Sequence, residues 1–195
     1  MNLKLVSAYL SLGVGLISYF PYYKDIFSGK TKPHAFTWFI FALLSFVGFF
    51  AQLSQHGGLG AWVTGLSGIM CLGVFILALF RGTREIESVD TLFFVLALAS
   101  LVPWWFTKDP TVSVILISII DALGFVPTIR HGYYHPYEET LSTFILSAIK
   151  FGFGILALQV YAISTWFYPV SIIVTAGGFS ILLIVRRRIL KHRRV

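Results

Sequence analysis

Residues 5–23 read LVSAYLSLGVGLISYFPYY, an apolar run without a charge that ends in Pro21 and two tyrosines. At 1.5 Å per residue a helix of this length spans about 30 Å, the thickness of the hydrocarbon core of a membrane. Because the run lacks a convincing cleavage site, we expect a true helix rather than a secretory signal. Six further runs of the same character cover residues 35–53, 59–80, 91–107, 111–129, 141–160 and 164–185. The sequence therefore predicts an all-α integral membrane protein with seven transmembrane helices.

The composition argues against the soluble classes of protein. Of 195 residues, 57% are hydrophobic and only 12% are charged, whereas soluble domains average about 25% charged residues. The segments between the apolar runs are too short to form a soluble domain. We therefore expect residues 1–195 to form a single membrane domain. Its one cysteine, Cys71, permits no internal disulfide.

Basic residues are concentrated on one side of the predicted helices. The loops after the first, third and fifth helices and the C-terminal tail hold twelve Lys and Arg residues, against Lys4 and Lys108 on the other side. Because cytoplasmic loops carry the excess of Lys and Arg, we expect the N-terminus outside and the C-terminus in the cytoplasm, in a plasma or inner membrane. Positive charge spread along a membrane surface does not indicate a nucleic acid partner. The basic tail, residues 186–195, is either a topology signal or a contact for anionic lipid headgroups.

Two parts of the chain are similar to each other. In both, a proline near the end of one helix is followed by a short basic loop and by a proline that opens the next helix. The matched pairs are Pro21 with Pro127, Pro33 with Pro136, and Trp62 with Trp166. The pattern predicts a parallel 3+1+3 repeat, in which triple-helix bundles at residues 5–80 and 111–185 are joined by a linker helix at 91–107.

Polar and small residues recur at steps of three and four on six of the predicted helices, but not on the linker. Such spacing places them on one face of each helix. On helices 2, 3, 6 and 7 they are Trp38, Ser45 and Gln52; Thr64, Ser67 and Cys71; Thr143, Ser147 and Lys150; and Tyr168, Ser171 and Thr175. A single serine often only packs helices together. Matched stripes on both triplets predict a shared polar cavity.

Two ionisable residues, Asp121 and Lys150, fall deep inside predicted spans. A charge at that depth costs about 3 kcal/mol on insertion scales, so both are expected to face away from lipid. Two interpretations stay open. They form a buried pair that fixes helices 5 and 6, or one or both face the cavity and bind a solute or a proton.

These features resemble the SWEET and PQ-loop superfamily of membrane transporters over the whole chain. Where PQ-loop members carry Pro-Gln, this chain has Pro21-Tyr22 and Pro127-Thr128, so the subfamily and the solute stay open. In SWEET proteins a small polar residue and an aromatic residue one turn later line the pocket. The similar pairs here are Ser45 with Phe49 and Ser147 with Phe151, while Ser67 and Ser171 stand where sugar-carrying members have asparagines.

We expect a small transporter or facilitator that moves a polar solute, such as a sugar, a vitamin or an amino-acid-like molecule, by alternating access. Pro21 and Pro127 are the expected hinges, because proline removes a backbone hydrogen bond and permits bending. The expected cavity residues are Ser45, Phe49, Ser67, Asp121, Ser147, Lys150, Phe151 and Ser171. Proton coupling and a homo-oligomer stay open. The alternative function is a non-transporting receptor or scaffold on the same fold.

Enzymes are not expected, and neither is a cofactor or a metal. The five histidines fall in loops or in the tail, too scattered for a metal site within the membrane. The sequence contains no glycine-rich nucleotide loop and no nucleophile motif. A retinal protein would need a lysine on the last helix, and the predicted seventh helix has none.

Overall fold

The regular structure of the protein is helical in all the residues that the structure describes. The computed structural model describes residues 3–29, 33, 35–82, 88–99, 102, 106, 109–137 and 139–192. In chain order these contain α1 (Leu3–Phe27), α2 (Ala35–Ser54), a 3-10 turn (Gly58–Ala61), α3 (Trp62–Arg81), α4 (Ser88–Ala99), α5 (Pro110–Gly124), α6 (Val126–Tyr134), α7 (Leu141–Leu156) and α8 (Ile163–His192). The prediction of an all-α protein is confirmed.

Four helical segments are long and apolar enough to cross a membrane: Leu3–Phe27, Thr37–Ser54, Gly58–Arg81 and Ile163–Lys191. The helices α5 and α7 are apolar but shorter, with 15 and 16 residues. The second half of the predicted linker helix lies mostly outside the described residues. Of the seven predicted crossings, four therefore correspond to helices of full spanning length.

The surface and the interior have the polarity expected for a protein that meets lipid. Large apolar side chains are exposed, with Phe80 at 81% and Val174 at 66% exposure, whereas the buried set includes many serines and Gln52. In water, apolar surface on this scale promotes aggregation or association. In a bilayer it contacts acyl chains, and small polar residues pack the helices together. The arrangement is that of a membrane protein.

The predicted fifth run is divided into two helices. α5 begins with Pro110 at its first position and is capped by Asp109, whose Oδ1 accepts a hydrogen bond from the Thr111 amide at 2.8 Å. It ends at Gly124, three residues before Pro127. Proline lacks an amide hydrogen, and its ring clashes with the carbonyl four residues earlier, which interrupts a helix at this position. α1, by contrast, continues as one helix through Pro21.

The helices pack in an order that differs from their order in the chain. α3 packs against both α1 and α2, and α8 packs against both α5 and α7. Between these two groups, α1 packs against α7 and α2 packs against α5. α4 lies against α2 and α5.

At one end of the helices, which we call the basic end, the C-terminal part of α8 holds the connection between α6 and α7. Arg187 donates hydrogen bonds to the carbonyls of Pro136 at 2.9 Å and Glu139 at 2.8 Å. Arg186 donates to the Tyr133 carbonyl at 3.0 Å. The predicted basic tail is thus helical as far as His192. Lys30, Lys32, Arg84, Lys108 and residues 193–195, which the topology prediction also uses, lie outside the described residues.

At the opposite end, which we call the glycine end, the connection between α2 and α3 lies against the connection between α7 and α8. The Gln159 amide donates a hydrogen bond to the Gly57 carbonyl at 3.1 Å. A Cβ atom on Gly60 would lie 2.5 Å from the Gly154 carbonyl oxygen, so only glycine permits this approach of the two backbones. Gly58 has a φ of 67° and is equally close to the side chain of Gln159.

Candidate functional site

A cavity of about 140 Å³ lies among the six helices α1, α2, α3, α5, α7 and α8. Its polar lining residues include Ser45, Ser67, Asp121, Thr143, Ser147 and Lys150. Its aromatic lining residues include Tyr19, Trp38, Phe41, Phe144, Phe151 and Tyr168. No described residue of α4 contributes to the wall.

Lys150 is buried in this wall, with only 1% of its surface exposed. Its Nζ lies 4.4 Å from the centroid of the Tyr19 ring and 5.1 Å from that of Phe151, so the ammonium is held by the faces of two aromatic rings. α1 passes close to the stem of the lysine at Gly15, where a Cβ would lie 3.8 Å from Lys150 Cδ and 3.0 Å from Leu66 Cδ2. Among the described residues, no hydrogen-bond acceptor or anion binds the ammonium.

Asp121 lies on the same wall, on the last turn of α5 before the division at Phe125. Within the described part of the chain, its carboxylate has no hydrogen-bond donor and no cation within 4.0 Å. Asp121 and Lys150 therefore do not form the buried salt bridge that was one of the two interpretations of the sequence. The wall carries two groups of opposite charge, both without a partner of opposite charge.

The division between α5 and α6 is fixed by aromatic packing. The Phe125 ring lies edge-on to Phe144 of α7 and Phe179 of α8, with centroid distances of 5.8 and 5.4 Å. Phe144 and Phe179 also contact each other, at 4.7 Å. Phe125, one turn after Asp121, and Phe144 both line the cavity, so this cluster forms part of its wall.

Tyr19 and Cys71, which both line the cavity, contact each other. The Tyr19 hydroxyl and the Cys71 Sγ are 3.4 Å apart and hydrogen-bonded, which joins α1 to α3. One turn further along α1, the Tyr23 hydroxyl donates to the Met70 carbonyl at 2.7 Å. The ring of Tyr19 is thereby held in the place where it faces the ammonium of Lys150.

Two hydroxyl groups of the cavity wall, those of Ser67 and Thr143, differ in their hydrogen bonding. Ser67 Oγ donates to the carbonyl of Val63 at 2.8 Å, within its own helix. Thr143 Oγ1 is buried and has no hydrogen-bond partner among the described residues. A buried polar atom without a partner is unfavourable, and Thr143 is one of the residues that line the cavity.

The cavity occupies the half of the bundle that is nearer the basic end. On α2 its lining residues are Trp38, Phe41 and Ser45, all in the first eleven residues of the helix. Towards the glycine end, a Cβ on Gly48 would lie 2.9 Å from Tyr168 Cδ1. Beyond it, Gln52 Nε2 donates to the Thr165 carbonyl at 2.6 Å. Helix packing therefore closes the half of the bundle beyond Gly48.

Six of the eight residues expected from the sequence lie on the cavity wall: Ser45, Ser67, Asp121, Ser147, Lys150 and Phe151. Phe49 and Ser171 are not among the lining residues. Phe49 packs into the space left by Gly65, whose Cβ would lie 3.0 Å from its ring, and it contacts Trp62. The Ser171 hydroxyl donates to the carbonyl of Tyr168 within its own helix. The role of all eight residues in binding stays a prediction.

Some wall residues were not among the expected cavity residues. Trp38, Cys71, Thr143 and Tyr168 stand on the stripes that the helical spacing reveals, so their position could have been read from the sequence. Tyr19 follows Gly15 by four residues, so the same spacing places it on the small and polar face of α1.

The described residues contain no group of three or more His, Cys, Asp or Glu side chains that could hold a metal ion. In comparisons with known proteins, no family model, curated protein or solved structure matches the chain. The functional argument therefore depends on the cavity itself.

Proposed function

We propose that the protein is a membrane transporter that moves a small polar solute by alternating access. The observation that carries this proposal is the cavity among six helices, whose wall holds an ammonium and a carboxylate that have no counter-ion among the described residues. Charged groups inside a membrane protein are costly and generally serve a solute or ion pathway. A scaffold that binds no solute needs no such groups at the centre of the bundle.

The proposed architecture is a parallel repeat of two triple-helix bundles, and the packing order supports it. Exchanging α1, α2 and α3 for α5, α7 and α8 turns every contact described above among these six helices into another observed contact. The third helix of each bundle lies against the other two, and the first helix of each bundle meets the second helix of the other. α4 is the linker in this arrangement.

The connections at the basic end support the same repeat. A Cβ on Gly82, just after α3, would contact the carbonyl of Pro33, and Arg187 near the end of α8 donates to the carbonyl of Pro136. The third helix of each proposed bundle thus meets the proline that precedes the second helix.

The proposed orientation places the N-terminus outside and the C-terminus in the cytoplasm of a cell membrane. Because the cavity lies nearer the basic end, this conformation has its binding site in the cytoplasmic half and its outer half closed. Movement of the bundles about Pro21 and Pro127 would close the inner half and open the glycine end. Anionic lipid would contact the exposed Arg188 and Lys191, since Arg186 and Arg187 bind loop carbonyls.

Transport is tested with a variant that fills the cavity and a matched control on the same helix. Purified protein is first screened for stabilisation by sugars, amino acids and vitamins, and uptake of the stabilising solute is measured in proteoliposomes. Ser147→Trp places an indole in the cavity and should lower uptake at least tenfold. Ile149→Trp, at a position that is 42% exposed, should transport normally. A solute that binds the wild type but is never taken up would favour the receptor alternative.

A further inference from the structure

The charges of the cavity wall define the charge of the molecule that fits it. Lys150 contributes one positive group and Asp121 one negative group, and neither has a counter-ion in the described structure. Burying an ion without a partner is unfavourable, and a bound group of opposite charge removes that penalty. A ligand that satisfies both groups carries one negative and one positive charge.

The size of the cavity limits the ligand further. Its volume of about 140 Å³ is close to that of an engineered protein cavity of about 150 Å³ that binds benzene. A ligand held wholly within this space has about six to eight non-hydrogen atoms. A hexose has twice as many such atoms as benzene, and a nucleoside or a disaccharide has more still.

The remaining wall fits the same class of molecule. Aromatic rings such as Trp38 and Tyr168 attract an ammonium group through their faces and bury the carbon skeleton. Thr143 also lines the cavity, and its Oγ1 has no hydrogen-bond partner among the described residues. A neutral polyol would leave both charged groups without a counter-ion.

We propose that the cavity binds a small zwitterion, with its carboxylate on Lys150 and its ammonium near Asp121. L-Alanine, with six non-hydrogen atoms, represents the class. This inference rests on the cavity of the proposed function and names its substrate class.

The test compares L-alanine with analogues that each lack one charge, by calorimetric binding to the purified protein. Wild type should bind L-alanine at least tenfold more tightly than propionate, ethylamine or glucose. Lys150→Met should lose L-alanine binding at least tenfold and prefer ethylamine. Asp121→Asn should also lose it and prefer propionate. A structural role of either residue predicts no such opposite change of preference. Ser171→Ala, off the cavity wall, should bind as wild type.

A second measurement needs no variant, because Cys71 is the only cysteine of the chain and lines the cavity. Methyl methanethiosulfonate transfers its methylthio group to the cysteine sulfur, forming a mixed disulfide and releasing methanesulfinate. L-Alanine should slow this labelling at least fivefold, and glucose should not. Equal labelling rates with and without L-alanine would overturn the proposal even where both charge variants fail to fold.

The outcomes separate this inference from the proposed function. Uptake of glucose without binding of L-alanine would overturn the zwitterion assignment and leave transport intact. Binding of L-alanine without uptake into proteoliposomes would overturn the proposed transport and leave the zwitterion assignment intact. Binding of propionate or ethylamine as tightly as L-alanine would also overturn the assignment.

Discussion

Replacing Lys150 by methionine is expected to change the free energy of unfolding by no more than about 1 kcal/mol. Methionine keeps the unbranched stem beside Gly15, so the substitution mainly removes the charge. The loss is two cation–π contacts, at 4.4 and 5.1 Å, each worth about 2 kcal/mol when desolvated and together about 4 kcal/mol. The gain is that the variant no longer buries a charge, which costs about 3 kcal/mol on insertion scales. The two effects nearly cancel.

A salt bridge would give a different result. Removing one partner of a buried ion pair destabilises a protein by about 3–5 kcal/mol, because the other ion is left alone. The structure instead shows Lys150 and Asp121 without contact. We therefore expect Asp121→Asn to be tolerated as well as Lys150→Met.

The assay is thermal unfolding of the purified protein in detergent. A free energy change of 1 kcal/mol shifts Tm by about 2–4 °C in a chain of this length, so Lys150→Met should unfold within about 4 °C of the wild type. A fall of more than about 6 °C that is reversed in the double variant Asp121→Asn with Lys150→Met would refute this reasoning. It would show that the two residues stabilise each other.

Three further predictions concern the packing, the coupling and the basic end. Gly48→Ala should destabilise the protein by about 1–3 kcal/mol, because the added methyl group overpacks against Tyr168. Gly152→Ala, at a position with no neighbour within 4 Å, should stabilise it by about 0.5–1 kcal/mol. Thermal unfolding measures both changes. At solute concentrations raised to offset its weaker binding, Asp121→Asn should retain solute exchange in proteoliposomes and lose any pH dependence of uptake. Unaltered pH dependence would contradict a role in proton coupling. Arg187→Ala should speed hydrogen exchange of the connection between α6 and α7 about fivefold, because its lost hydrogen bonds stabilise the connection by about 1 kcal/mol. The same substitution at the exposed Arg188 serves as the control.

The helices could be predicted because apolar runs of spanning length have few alternatives in a chain with so little charge. The division at Phe125 is harder to predict, since the apolar pattern is continuous over residues 111–129. Pro127 indicates a disturbance nearby, but its position depends on the contacts of Phe125 with Phe144 and Phe179. Those contacts join residues that are far apart in the sequence.

The face of each helix was predictable, but the depth of the cavity was not. Helical spacing places Ser45 and Phe49 on one side of α2, and the structure agrees, because both side chains are buried. Which of them reaches the cavity depends on Gly65 of α3, which leaves room for the Phe49 ring between the helices. A missing side chain on a neighbouring helix leaves no trace in the periodicity of α2.

The proposed repeat also explains why both charges belong to one half of the chain. Aligning Ser45 with Ser147 places Gly48 opposite Lys150 in the repeat, and Gly15 corresponds to Asp121. Gly15 lies beside the stem of Lys150, and a Cβ on Gly48 would lie 3.2 Å from Ile117 of α5, one turn before Asp121. Each charged helix thus packs against a glycine of the other bundle. Charged side chains at all four positions would not fit, because two of them would occupy the space that Gly15 and Gly48 leave for the other bundle. A polar cavity in so small a bundle therefore requires chemically different halves.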